Sequence, residues 1–175
     1  DLTKIVENNQ VAFGDQYTWS SYNPTTHKVI YTQKADKLTI MDGSSQIIFT
    51  INANDQVVSY EQTYAGSVQV LGKERELISA QKAVEVLYLA GRISSKATVQ
   101  SVKLSYYQSL VLKDFSIYSP AWYIEIRQAD GQLIARRVDA IHGTVLANET
   151  LETTNTQTQR TTTNNTTTTQ SVQQQ

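Results

Sequence analysis

Between residues 28 and 64 the chain falls into four short runs rich in β-branched and aromatic residues: KVIYTQ (28–33), KLTIM (37–41), SQIIFTINA (45–53) and QVVSYEQTY (56–64). The pairs Ala35-Asp36, Asp42-Gly43 and Asn54-Asp55 separate them with turn chemistry. Such spacing predicts strands joined by tight connections into antiparallel hairpins. In the last run Val58, Tyr60, Gln62 and Tyr64 share one face, and Val57, Ser59, Glu61 and Thr63 the other. Neither face is cleanly apolar, which places this strand at an edge or rim.

The period then changes. In ISAQKAVEVLYLAGRI, Ala80, Ala83, Val84, Leu87 and Tyr88 recur at helical spacing and form one apolar stripe. Ser79 stands where an N-cap hydroxyl can accept a first-turn amide, and Gly91 suits the left-handed residue that closes a helix. One main helix over about 79–90, packed on a sheet, is the expectation.

Alternation returns in TVQSVKLSYYQSLVL (98–112), with Val102, Leu104 and Tyr106 set against Lys103, Ser105 and Tyr107. In FSIYSPAWYIEIRQ (115–128), Trp122, Ile124 and Ile126 oppose Tyr123, Glu125 and Arg127. Pro120 lacks a ladder donor and marks a strand start, an edge or a bulge. Asp130-Gly131 signals a hairpin, QLIARRVDA (132–140) is the returning strand, and Ile141-His142-Gly143 makes a final turn. The fold class is therefore α+β, strand-rich, with antiparallel sheets and one main helix. It divides into an N-terminal lobe over 1–78, a helix-plus-meander lobe over 79–150, and a tail over 151–175.

Composition adds the tail. From Glu152 the chain runs ETTNTQTQRTTTNNTTTTQSVQQQ, where Val172 is the sole aliphatic residue. With almost nothing apolar to set against roughly 1–2 kcal/mol of ordering entropy per residue, this stretch is expected to be disordered. Net charge is −1 and basic residues are scattered, so the electrostatic footprint of a nucleic-acid binder is missing. Zero cysteines exclude thiolate chemistry without naming a compartment. No apolar run is long enough to span a bilayer. The first residue is Asp1 rather than Met, which reads as a processed or truncated piece and is compatible with removal of a targeting segment.

Candidate chemistry is sparse. His27 in NPTTHK and His142 in AIHG lack convergent ligand spacing and read as turn residues, so no metal site is expected. No GxSxG elbow, phosphate-cradling GxxxxGK or raised carboxylate pair is present. Asp114, Asp130, Asp139 and Glu125 read as turn formers and solvent-facing strand positions. The chain is expected to be non-catalytic and to need no cofactor. Aromatics remain, with ten Tyr against three Phe and two Trp. Trp122 shares a face with Ile124 and Ile126 and is expected in the core under the helix. Tyr107 and Tyr123 point the other way, so each is either part of an exposed protein-contact patch or a cross-strand packing residue. Tyr64, at the rim strand, is the third contact candidate.

Taken in order, SYEQTY (59–64), ISAQKAVEVLY (78–88), LSYYQS (104–109), YSPAWYIEI (118–126) and VDAIHG (138–143) resemble the extracytoplasmic domain of the YycI family of Firmicutes. The likeness spans about residues 28–147. Asp139 stands where that family more often has Asn, and the Thr/Gln/Asn tail is not a family feature. The resemblance implies a single-pass protein anchored by an N-terminal helix absent from this chain, with its domain on the outer face of the cell membrane. It also implies partners: a YycH-like protein and the essential cell-wall sensor histidine kinase WalK (YycG), modulated through protein–protein contacts. A shorter likeness, through Asp130, Gly131, Val138, Asp139, Ala140, Gly143, Val145 and Leu146, is to the PepSY module. That second likeness implies the alternative of a peptidase inhibitor or propeptide domain.

Overall fold

A computed structural model describes residues 1–8 and 10–147; the tail expected over 151–175 lies outside the described residues. The first element is a short helix, α1 (Leu2–Glu7), which the sequence reading did not predict. Asp1 caps it by accepting the Thr3 amide, and its buried residue is Val6. The chain then bends through Phe13, held at φ 56°, into one 3-10 turn at Gly14–Gln16. Gly14 is obligatory here, because a Cβ would sit 2.0 Å from the Val6 carbonyl oxygen.

Next come β1 (Tyr17–Asn23), β2 (Lys28–Ala35), β3 (Leu38–Thr39), β4 (Gln46–Ile51) and β5 (Val57–Gln62). They form an antiparallel sheet in the order β1-β2-β4-β5, with the two-residue β3 paired to the end of β2. β1 was also missed from sequence. β5 is an edge, and its residues are exposed along nearly its whole length, as its mixed faces imply. One face of this sheet is closed by α1 and the bend after it: Val6 of α1 and Val11 beyond it pack with Tyr17, Val29, Tyr31, Ile47 and Phe49.

The second sheet follows α2 (Ala80–Leu89), in which Ser79 accepts the Lys82 amide at 3.1 Å as predicted. Its strands β6 (Thr98–Val111), β7 (Ser116–Arg127) and β8 (Leu133–Asp139) are an antiparallel meander. The helix stripe meets one face, where Ala83 and Leu87 pack on Ile124, Ile126, Ile134 and Val138. Trp122 joins this layer, half-buried, and its indole N–H donates to the Ile78 carbonyl at 2.9 Å.

β8 pairs with β7 only as far as Ala121↔Asp139, after which the Ala140 amide bonds the Pro120 carbonyl. Beyond that point β6 and β7 run on as a two-stranded ribbon, closed where the Leu112 amide bonds the Phe115 carbonyl. The two sheets meet just after β3. Ile40 bridges Tyr106 in parallel, and the Met41 amide bonds the Tyr106 carbonyl at 3.1 Å. The Asp42 carboxylate accepts the Gln108 amide at the ribbon's base.

Candidate functional site

The face of the second sheet turned away from α2 carries most of its polar side chains. Antiparallel register aligns Lys103 with Tyr123 and Arg137, and Ser105 with Ala121 and Asp139. Alternation therefore assigned Tyr107 and Tyr123 to the correct face. It did not show that this face is covered. Tyr123 is only 4% exposed, so the expectation of an exposed contact residue is corrected: it packs across strands, with the Arg137 guanidinium 5.9 Å from its ring centre. Burial, with the Glu125 charge adding to it and Arg137 opposing, pushes its phenol up to about 12.

Arg137 is buried as well, and its Nε donates to the Met41 carbonyl at 3.1 Å, so the residues after β3 lie against this face. Its Nη2 is buried without a partner. The adjacent Arg136 sits on the opposite, helix-facing side, and its Nε is likewise buried and unbonded. The signal for this was present in QLIARRVDA. Two successive arginines in a strand point to opposite faces, so one must enter the core layer whichever face that is.

At the ribbon's base Tyr107, half-buried, donates its hydroxyl proton to Asp139 Oδ2 at 2.9 Å. The other oxygen, Oδ1, accepts the amides of Ile141 at 2.8 Å and His142 at 2.7 Å, and lies 3.1 Å from His142 Nδ1. Asp139 is a turn former as read, but at 5% exposure it is not the solvent-facing residue expected. Burial works to raise its carboxyl. The His142 amide, the Tyr107 hydroxyl, the Ile141 amide and the His142 ring outweigh it, and the net direction is down. Tyr107 moves the opposite way, up to about 12, from burial first and then from its bond to the carboxylate and the carboxylate's charge.

The other candidates are dispersed. Tyr64, half-buried, stacks on Phe13 with ring centres 4.4 Å apart and donates to Gln16 Oε1 at 2.9 Å. His27 occupies a turn at φ 53°. Asp130 caps its own turn by accepting the Gln132 amide, and Glu125, half-buried, accepts from the Ser101 hydroxyl. Asp114 is exposed at the ribbon tip. Among the described residues no group of three or more His, Asp or Glu could hold a metal ion, and no helix is long and apolar enough to cross a membrane. Sequence reasoning missed the ribbon tip, where Leu110, Val111, Leu112 and Phe115 are all exposed.

The arrangement defines a strand-rich α+β module in which Tyr107, Asp139 and Arg137 bond across its strands and to the segment after β3. The YycI protein family model matches residues 1–141, and the chain belongs to that family. Membership supports a regulator of the YycG (WalK) two-component system and does not favour the PepSY-like alternative. No curated protein matches the chain.

Proposed function

We propose that this chain is the non-catalytic, extracytoplasmic part of a membrane-anchored regulator that modulates the cell-wall sensor kinase through protein–protein contacts. The observation that carries the reading is the family match over residues 1–141. The anchor is an N-terminal helix in the full-length protein, and the partners are a YycH-like protein and the kinase. Contacts that favour one state of the kinase over another bias its equilibrium by their difference in free energy. Two lobes, 1–78 and 79–150, give such a module two surfaces that partners can hold at once. Of the three tyrosines, Tyr64 (with Phe13 stacked on it) and Tyr107 retain surface to offer, whereas Tyr123 acts through packing.

The test is affinity purification of the tethered full-length protein from membranes. Co-recovery of the YycH-like protein and the kinase supports the reading, and recovery of neither sinks it.

A further inference from the structure

β5 is an open edge of the first sheet, and its ladder with β4 decides which of its backbone groups are spare. The Thr63 amide bonds the Gln46 carbonyl at 2.9 Å, and the register sets Glu61 opposite Ile48 and Ser59 opposite Thr50. Alternate residues of an antiparallel strand bond the same neighbour. Ser59, Glu61 and Thr63 therefore face β4, while Tyr60 and Gln62 turn their amides and carbonyls to the open side. Among the described residues no strand lies on that side and no other backbone group bonds them. The register passes from Thr50↔Ser59 to Ile51↔Val57, so Val58 is a bulge and the regular edge ends there. Lys and Pro commonly blunt such edges, and VVSYEQT (57–63) contains neither.

Beside this edge is a surface pocket of about 250 Å³ lined by Gln46, Ile48, Glu61, Gln62 and Thr63. Gln46, Ile48, Glu61 and Thr63 alternate with the residues that pack under α1, so they share the sheet's other face. The volume suits one long side chain and falls below the range of small-molecule sites, about 300–1,000 Å³. Glu61 is exposed and is the sole charge in the lining. The ion pairs among the described residues, Lys82–Glu85 and His142–Asp139, leave it out.

A Lys or Arg side chain matches that lining, with its aliphatic stem on Ile48 and its charged head at Glu61. A strand bonded to Tyr60 and Gln62 can deliver one, because the residue opposite Glu61 has its Cβ about 4.5–5.5 Å away on the same face. A second copy pairing through the same edge cannot, since the one charge it brings in 57–63 is another Glu61.

We propose that the β5 edge over Ser59–Thr63 is a strand-addition site for an extended, Lys- or Arg-bearing segment of a partner protein. Backbone bonds at Tyr60 and Gln62 hold the segment, and the pocket at Glu61 selects its basic side chain. This rests on the protein-contact reading above and names its surface.

The experiment measures binding of the full chain to the separate extracytoplasmic domains of the YycH-like protein and the kinase. Variants are Glu61→Lys, which reverses the charge at an exposed position, Tyr60→Pro, which removes an outward donor and no bond to β4, and Tyr88→Ser on α2 as a control. Glu61→Lys and Tyr60→Pro should each weaken binding by at least about tenfold, and Tyr88→Ser should stay within about twofold of wild type. In the complex the Tyr60 and Gln62 amides should gain protection from hydrogen exchange. Urea melts check that Tyr60→Pro folds, and if it does not, Glu61→Lys and the exchange data decide. Wild-type affinity in Glu61→Lys, with both amides unprotected in the complex, overturns the proposal and leaves the protein-contact reading standing. A wild type that binds neither domain removes that reading and the proposal with it. Protection that appears in the chain alone, rising with its concentration as a dimer forms, assigns the edge to a second copy and also overturns it.

Discussion

Tyr107 and Asp139 belong to strands that do not touch, yet the phenol of β6 reaches over β7 to the carboxylate at the end of β8, 2.9 Å away. Ladder hydrogen bonds link only neighbouring strands, so this bond ties the outer strands of the meander directly. Tyr107→Phe should lower unfolding free energy by about 1.5 kcal/mol, the usual contribution of a bond to a charged group. Urea denaturation checks it, with the midpoint falling and the slope unchanged.

Acid should find the same spot. Asp139 has a folded-state carboxyl pulled below its unfolded value of about 4. Its contribution is therefore complete above that value and is lost as pH falls through the lower folded one. Asp139→Asn should be less stable than wild type at neutral pH, and the gap should close below about pH 4. Thermal melts of both proteins across that range test this, and a constant gap would assign the effect to packing instead.

At the alkaline end the sign reverses. Tyr107 and Tyr123 are both raised to about 12, so their protonated forms stabilise the fold below the ordinary phenol range and that contribution fades as pH climbs through about 12. Tyrosinate absorbance should show two late-ionising phenols. In Asp139→Asn the Tyr107 phenol should move back down, while Tyr123, whose causes are burial, Glu125 and Arg137, stays where it is.

The helix layer gives a fourth test. Leu87 is fully buried against Ile124, Ile126 and Val138, so Leu87→Ala should cost about 2–5 kcal/mol through lost transfer energy and a cavity. Ser79→Ala removes only the acceptor for the Lys82 amide and should cost about 1 kcal/mol. Calorimetry that reverses this order would mean the helix is held by its cap rather than by its stripe.

The second half of the fold was legible because its pattern is local. Ser79, the stripe through Ala83 and Leu87 (its last member, Tyr88, stands exposed instead), and the alternation of Trp122, Ile124 and Ile126 each report their own backbone period. β1 escaped because YTWSSYN carries no aliphatic residue, and only Tyr17 of it is buried. α1 escaped because six residues make too short a window for a period to show. The error at Tyr123 and Asp139 has a different origin. Alternation says which side chains share a face, but not that Met41, nearly a hundred positions away from Arg137, lies against that face. The candidate contact residues therefore changed more than the fold did.

The ribbon beyond Pro120 is held at one end only. At its root Gln108 is fixed to Asp42 and Tyr107 to Asp139, while among the described residues no third strand pairs with its exposed end at Leu112 and Phe115. Mechanically this is a lever whose fulcrum lies on the seam between the two sheets. In that geometry a rotation at Asp42 would carry the four apolar side chains at the far end with it, and a load on those side chains would be felt first at the seam.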